Sequence, residues 1–220
     1  MRILELFSGT GSVGKVAKDK FNMEVISVDN VYDATFMSDI LSWDYKQYKP
    51  GYFDIIWASP PCANWSILQY SWIGRKNKKG VIITKEIIQE KINQEGKPLV
   101  DKTLEIIEYF KPKSWFIENP ASSKMKDYIK LPNVVVSYCK YSDWGYQKNT
   151  RIWTNVTHFE PKKCSNKDPC DIINRHEEYP NRHKIHLGGV RCKTTREEKY
   201  RIPPLLVFDL LHATLENPTS

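Results

Sequence analysis

The chain predicts an α/β fold: a doubly wound, mostly parallel sheet with helices on both faces. Three observations carry that expectation. Short apolar runs alternate with amphipathic stretches over the first 154 residues. Most runs are stopped by glycine, proline or a polar cluster. Residues capable of chemistry stand where the runs end, at Ser8, Asp29, Cys62 and Glu118. Ligands of such sheets bind at the carboxyl ends of the strands, so this placement is the one an enzyme of this class needs.

The elements follow in order. Residues 3–7 read as a buried strand running into Ser8-Gly9-Thr10-Gly11-Ser12, with a helix continuing through Lys18. Residues 25–28 form a second strand ending at Asp29, and Asp39 follows a weak apolar stretch near Phe36 and Met37. Residues 52–58 are a strand closed by Ser59-Pro60-Pro61-Cys62. Residues 67–98 are polar and Lys-rich, with a helix around 84–94. Apolar positions 99, 100, 104, 106, 107 and 110 predict a core-facing helix that ends at Lys111-Pro112-Lys113. Residues 115–117 form a strand that stops at Glu118-Asn119-Pro120. Residues 134–138 and 151–153 are further strands, 205–215 a last helix, and the tail from residue 216 is frayed.

Length and composition set the class. With 220 residues the chain can bury one α/β core with a small appendage. No apolar run approaches the ~18 residues of a membrane span. The first residues are charged too early for a signal peptide. Five cysteines, an odd number, predict a reducing cytoplasm rather than a disulfide framework. The net charge of +7 is unevenly placed. Residues 75–102 hold eight Lys/Arg against four acids, residues 155–200 ten against seven, and the rest fifteen against fifteen. A neutral core with two basic segments is what a polyanion-binding enzyme presents, although a solvated helix face can carry the same charge.

Three motifs carry chemistry. The glycines at 9 and 11 allow close backbone approach to a ligand, and Asp29 can accept hydrogen bonds from ribose hydroxyls. This fits a nicotinamide, flavin or S-adenosylmethionine site, or a mere tight turn. Gly14 is displaced from the dinucleotide pattern, which counts against a pyrophosphate ligand. Ser59-Pro60-Pro61-Cys62 sets a thiol on a backbone stiffened by two prolines, either as a nucleophile or as inert packing. Glu118 ends an apolar strand, where partial desolvation would let a carboxyl carry or share a proton; Glu-Asn-Pro can equally be a turn. Separately, residues 158–192 are dense in cysteine and histidine. Cys164, Cys170, His183 and Cys192 are candidate ligands of a structural zinc, against a bland reading of free thiols and surface histidines.

In order and spacing these motifs resemble those of the DNA cytosine-5 methyltransferases. Leu4-Glu5-Leu6-Phe7-Ser8-Gly9-Thr10-Gly11 is similar to the family's first motif, Ser59-Pro60-Pro61-Cys62 to its nucleophile motif, and Glu118-Asn119-Pro120 to its Glu-Asn-Val. Tyr146-Gln147-Lys148-Asn149-Thr150-Arg151 is similar to its Gln-x-Arg-x-Arg, and residues 195–204 to its closing motifs. One residue is missing between Gly145 and Gln147 relative to the usual spacing, and three substitutions depart from the pattern. Ala63 replaces the usual Gln, Asn149 replaces the first Arg, and Pro120 replaces Val, a form associated with small phage and viral members.

The resemblance implies a class I S-adenosylmethionine-dependent methyltransferase fold. It implies catalytic Cys62, Glu118 and Arg151, and a cofactor site at Phe7, Ser8, Gly9, Thr10, Gly11, Asp29, Asn30, Asp39, Ile40 and Pro60. The partner would be double-stranded DNA with its target cytosine flipped out. Residues 1–154 would bind cofactor and catalyse. Residues 155–193 would be a reduced target-recognition region, short enough to predict a short or relaxed target site. Residues 194–220 would fold back on the catalytic part, and the Lys-rich segment after Cys62 would close over DNA. A monomer in the cytoplasm, of bacterial, phage or viral origin, is expected. An RNA cytosine methyltransferase on the same scaffold and an inactive cofactor- or DNA-binding relative are the rival readings. A nicotinamide oxidoreductase would leave Ser59 to Cys62 unexplained.

Overall fold

A computed structural model describes residues 1–185, 187 and 194–216. Seven strands form one sheet in the order β3-β2-β1-β4-β5-β7-β6. They are β1 (Arg2–Leu6), β2 (Glu24–Asp29), β3 (Phe36–Met37), β4 (Ile55–Ala58), β5 (Ser114–Pro120), β6 (Asn133–Ser137) and β7 (Asn149–Thr154). All neighbours are parallel except β7, which runs antiparallel to both β5 and β6. The central strands β1 and β4 are buried on both faces, hence their near-continuous apolar sequence. The chain winds outward one way from β1 and the other way from β4. The strand order therefore reverses between them, and a crevice is expected at their carboxyl ends. Both the 7–11 turn and Ser59-Pro60-Pro61-Cys62 leave the sheet there.

Helices cover both faces. On one, α1 (Ser12–Phe21) buries Val13, Val16 and Ala17. It packs on the last helix, α6 (Pro204–Leu215), with Phe21 stacked on Phe208 at 5.1 Å. The C-terminal segment is tied to the start of α1 by the Ile202 N–H, which donates to Ser12 Oγ at 3.2 Å. Before α6 lies the short helix α5 (Arg196–Tyr200), opened by a capping box between Thr195 and Glu198. On the other face, α2 (Lys85–Lys91), a single π-turn (Ile92–Gly96) and α3 (Lys97–Phe110) follow one another without a break. A short helix, α4 (Met125–Tyr128), completes this layer. No helix among the described residues is long and apolar enough to cross a membrane.

Three elements differ from the sequence expectation. The helices expected separately at 84–94 and 99–110 are joined, because the π-turn carries the helix past Gly96. The 67–98 segment opens with a 3-10 helix (Ile67–Trp72) and a small hairpin bridged between Lys76 and Ile82, with Lys78, Lys79 and Gly80 exposed at its tip. The strand expected to stop before Glu118 continues to Pro120. β7 offers partners for its last residues, pairing Glu118 with Ile152 and Asn119 with Arg151. A long-range antiparallel pairing of this kind leaves no mark in the local sequence.

Candidate active site

The first half of the site is the turn after β1. Phe7, Gly9 and Gly11 all have positive φ, at 55°, 52° and 66°. Glycine takes that conformation freely, while Phe7 is held in it by the turn. Gly11 N–H closes the turn on the Ser8 carbonyl at 2.8 Å, and the buried Ser8 Oγ has no hydrogen-bond partner. Asp29 at the end of β2 accepts from Gly9 N–H at 2.9 Å, Val31 N–H at 2.7 Å and Tyr32 N–H at 2.9 Å. These bonds fix its carboxylate beside the turn. Asn30 is exposed next to it. Asp39 is exposed and caps its own turn by accepting from Leu41 N–H at 2.9 Å, while Ile40 is buried. Thr10 shares a hydrogen bond with Ser12 at 2.9 Å.

Glu5 is a part of this half that motif reasoning did not assign. Its carboxyl, 3% exposed, accepts from Val13 N–H at 3.2 Å and Gly14 N–H at 2.9 Å, binding the open first turn of α1 to β1. Burial pushes it up to about 7, against the opposing effect of those two bonds. The available signal was a charged residue inside an otherwise apolar strand. Gly14 serves the same contact: a Cβ there would lie 2.7 Å from Glu5 Oε2 and 2.9 Å from Val25 Cγ1. It is a packing glycine and no displaced phosphate-loop residue.

The second half is built on β4, β5 and the stretch before β7. Cys62 is half-buried at the start of a 3-10 turn (Ala63–Trp65). Its loop is fastened by Asn119, whose Nδ2 donates to the buried Pro60 carbonyl at 2.8 Å. Trp65 is buried against the π-turn, where a Cβ on Gly96 would lie 3.0 Å from the indole ring, a tight contact. Glu118, 6% exposed, accepts from Tyr138 OH at 3.0 Å and stands 3.7 Å from Lys148 Nζ. Lys148 also lies over the Tyr138 ring at 4.7 Å and donates to the Lys199 carbonyl at 3.2 Å. Burial and the Glu118 carboxylate push the Cys62 thiol up, and the Lys148 ammonium pulls it down. Cys62, Glu118 and Lys148 thus form one electrostatic unit.

Arg151 is not brought to that unit. In the sheet it pairs with Asn119, on the face opposite Glu118. Its guanidinium donates to Asn133 Oδ1 and lies 6.0 Å from the Trp153 ring. The cation beside Cys62 and Glu118 is Lys148, three positions earlier and just before β7 begins. Gln147 donates to the Cys164 carbonyl, and Asn149 accepts from Ser137 Oγ at 2.7 Å, so both are tied into the scaffold.

Of the four candidate zinc ligands, Cys164, Cys170 and His183 come together, and Cys192 lies outside the described residues. The fourth member of the cluster is Cys139, contributed by the turn after β6. It stands 25 positions before Cys164 in the chain, so ligand spacing alone did not point to it.

No family model matches the chain. Two solved structures are similar to part of the chain. One is a methyltransferase of Entamoeba histolytica, 17% identical, with a TM-score of 0.49 over 75% of this chain and 57% of that one. The other is a putative DNA modification methyltransferase encoded within an E. coli prophage, 14% identical, with a TM-score of 0.48 over 76% and 53%. The chain thus spans just over half the length of either structure. The strand order with its single reversed strand is that of a doubly wound, mostly parallel α/β sheet, as the sequence predicts. A probable DNA (cytosine-5)-methyltransferase of frog virus 3 is 42% identical over 217 residues, covering 96% of this chain and 99% of that protein. With that likeness over nearly the whole length of both chains, the chain belongs to the DNA (cytosine-5)-methyltransferase family.

Proposed function

We propose that the chain methylates C5 of cytosine in DNA, with Cys62 as nucleophile and Glu118 and Lys148 as its charged partners. The observation that carries this is the meeting of these three groups beside the crevice where the strand order reverses. The donor fitting the other half is S-adenosylmethionine, which supplies an electrophilic methyl group on a sulfonium. The residues present suit it: the unpartnered Ser8 Oγ, the turn at 7–11, and the Asp29 and Asp39 carboxylates for its hydroxyl and amine groups. Asn30, Ile40 and Pro60 would line the same crevice.

Cytosine C5 is a weak nucleophile. Addition of the Cys62 thiolate to C6 forms a C–S bond and pushes electron density to C5, which then takes the methyl group. Glu118 holds the N3 edge and exocyclic amine of the base as charge develops there. Loss of the C5 proton to water re-forms the C5–C6 double bond, breaks the C–S bond and releases Cys62 as thiolate. Lys148 favours the thiolate and neutralises Glu118 between turnovers. A stacked base cannot reach these groups, so the cytosine must be flipped out. The exposed Arg75, Lys76, Lys78 and Lys79, close in sequence to Cys62 and beside exposed Trp72 and Ile82, suit the displaced strand and its phosphates.

The test is DNA carrying 5-fluorocytosine. Fluorine cannot leave C5 as a proton does, so a covalent protein–DNA adduct accumulates in the presence of S-adenosylmethionine. No adduct under conditions where the wild type binds this DNA would overturn the nucleophile assignment. Labelled methyl groups entering RNA but not DNA would overturn the substrate.

A further inference from the structure

Cys139 comes from the turn after β6 and Cys164, Cys170 and His183 from the 155–187 segment, yet their ligand atoms all lie within 4.8 Å of one another. Cys170 Sγ and Cys164 Sγ stand 3.3 and 3.7 Å from His183 Nε2. A tetrahedral zinc with its usual bond lengths requires S···N edges of about 3.5 Å and S···S edges of about 3.8 Å. The cluster therefore needs only small adjustments to close on such an ion.

Two further observations point the same way. Cys164 Sγ accepts from the Cys170 N–H at 3.4 Å and from Arg175 Nη2 at 3.1 Å, the pattern of donors that holds a thiolate in place. Arg175 is 8% exposed, its Nε has no hydrogen-bond partner, and among the described residues it forms no ion pair with a carboxylate. A buried guanidinium needs a counter-charge. Three thiolates and one imidazole around Zn2+ carry one net negative charge, which matches Arg175.

The surrounding chain has reason to need a staple. Among the described residues of 155–187, Phe159 and Cys170 are the only buried apolar side chains. The segment is held to the sheet mainly by polar contacts. Asn174, 1% exposed, donates to the Cys139 and Ser142 carbonyls and accepts from Gly145 N–H. Cys164 N–H donates to Ser137 Oγ. A segment with so little apolar burial gains little from the hydrophobic effect, and metal binding can supply the missing free energy.

We propose that Cys139, Cys164, Cys170 and His183 bind one structural Zn2+ that fastens the 155–187 segment to the catalytic sheet. The stretch it anchors runs from Tyr138 to Lys148, the two residues that flank Glu118. The metal thereby couples the order of this segment to the geometry of the catalytic unit. It takes no part in the chemistry itself, since all four coordination positions are filled by protein.

The experiment is metal analysis of the full chain purified without added metal or chelator, followed by Co2+ exchange. About one zinc per chain is expected. A mercurial titrating the thiols should release it, and the Co2+ form should show tetrahedral d–d bands with thiolate charge transfer. Cys139→Ser should lower the zinc content at least tenfold, while Cys192→Ser should leave it unchanged. Less than half an equivalent of zinc together with no thiolate charge transfer overturns the proposal, as does a disulfide among these cysteines in freshly isolated protein. Zinc retained by Cys139→Ser but lost by Cys192→Ser overturns the ligand set. Because metal content and the Co2+ spectrum are read on the wild type, a variant that fails to fold does not remove the test.

Discussion

Glu5 offers the sharpest quantitative test of the site's architecture. Its carboxyl is buried beneath the cofactor-side turn, and burial raises it from 4.5 to about 7. The folded state therefore holds a proton that the unfolded chain has already lost between those two values. Stability from this group is fully present below pH 4.5 and falls as the pH rises toward and through 7. A shift of this size corresponds to about 3.4 kcal/mol, of which about 2.5 kcal/mol is lost between pH 5 and pH 8. Glu5→Gln removes the titration but keeps the shape and one acceptor for the two N–H groups. Its own cost, roughly 1–3 kcal/mol for the lost bond to α1, does not depend on pH. Urea unfolding of both proteins at half-unit pH steps measures the difference. The stability of the wild type relative to Glu5→Gln should fall by about 2.5 kcal/mol between pH 5 and pH 8. A stability difference constant across that range would refute the reasoning and show that the two N–H bonds, not burial, govern Glu5.

Other outcomes follow from the same contacts. Lys148→Met removes the cation that lowers Cys62, so the rising limb of the pH–rate profile should move about one unit alkaline, with rates near pH 7 falling about tenfold; Lys148→Arg should restore most of both, and superimposable profiles would exclude the role. Gly96→Ala drives a Cβ to 3.0 Å of the Trp65 ring; thermal unfolding should report a loss of about 1–3 kcal/mol, with adduct formation at Cys62 slowed beyond what the lost stability explains. Asn119→Ala releases the Pro60 carbonyl from its buried partner, and single-turnover methylation should fall at least tenfold while DNA binding measured by anisotropy holds.

Much of the fold was legible because its central strands are apolar on both faces and their ends are marked by glycine and proline. β1, β2 and β4 and the main helices fall where periodicity puts them, within a few residues. The turn after β1 and the Pro-Pro-Cys loop could be read for the same reason: each is a contiguous motif whose geometry is set by its own residues. The π-turn joining α2 to α3 could not be read locally: Gly96 at its end packs against the Trp65 ring, 31 positions earlier in the chain. The extension of β5 through Glu118 and Asn119 also escaped, since β7 supplies it.

The sequence by itself determined the class of the sheet, the tight turn after β1 and the Pro-Pro-Cys loop after β4. Each depends on local backbone chemistry: positive-φ glycines, ring-locked prolines, an apolar run with a polar stop. Only the tertiary structure decided which cation faces Cys62. Lys148 and Arg151 share one short basic motif, and the alternation of faces along β7, together with its pairing to β5, sends Arg151 to Asn133 and leaves Lys148 with Glu118. Only the tertiary structure brought Cys139 to Cys164, Cys170 and His183. That convergence belongs to the packing of a distant turn against the 155–187 segment, and charge and distance across such a contact appear only once the chain has folded.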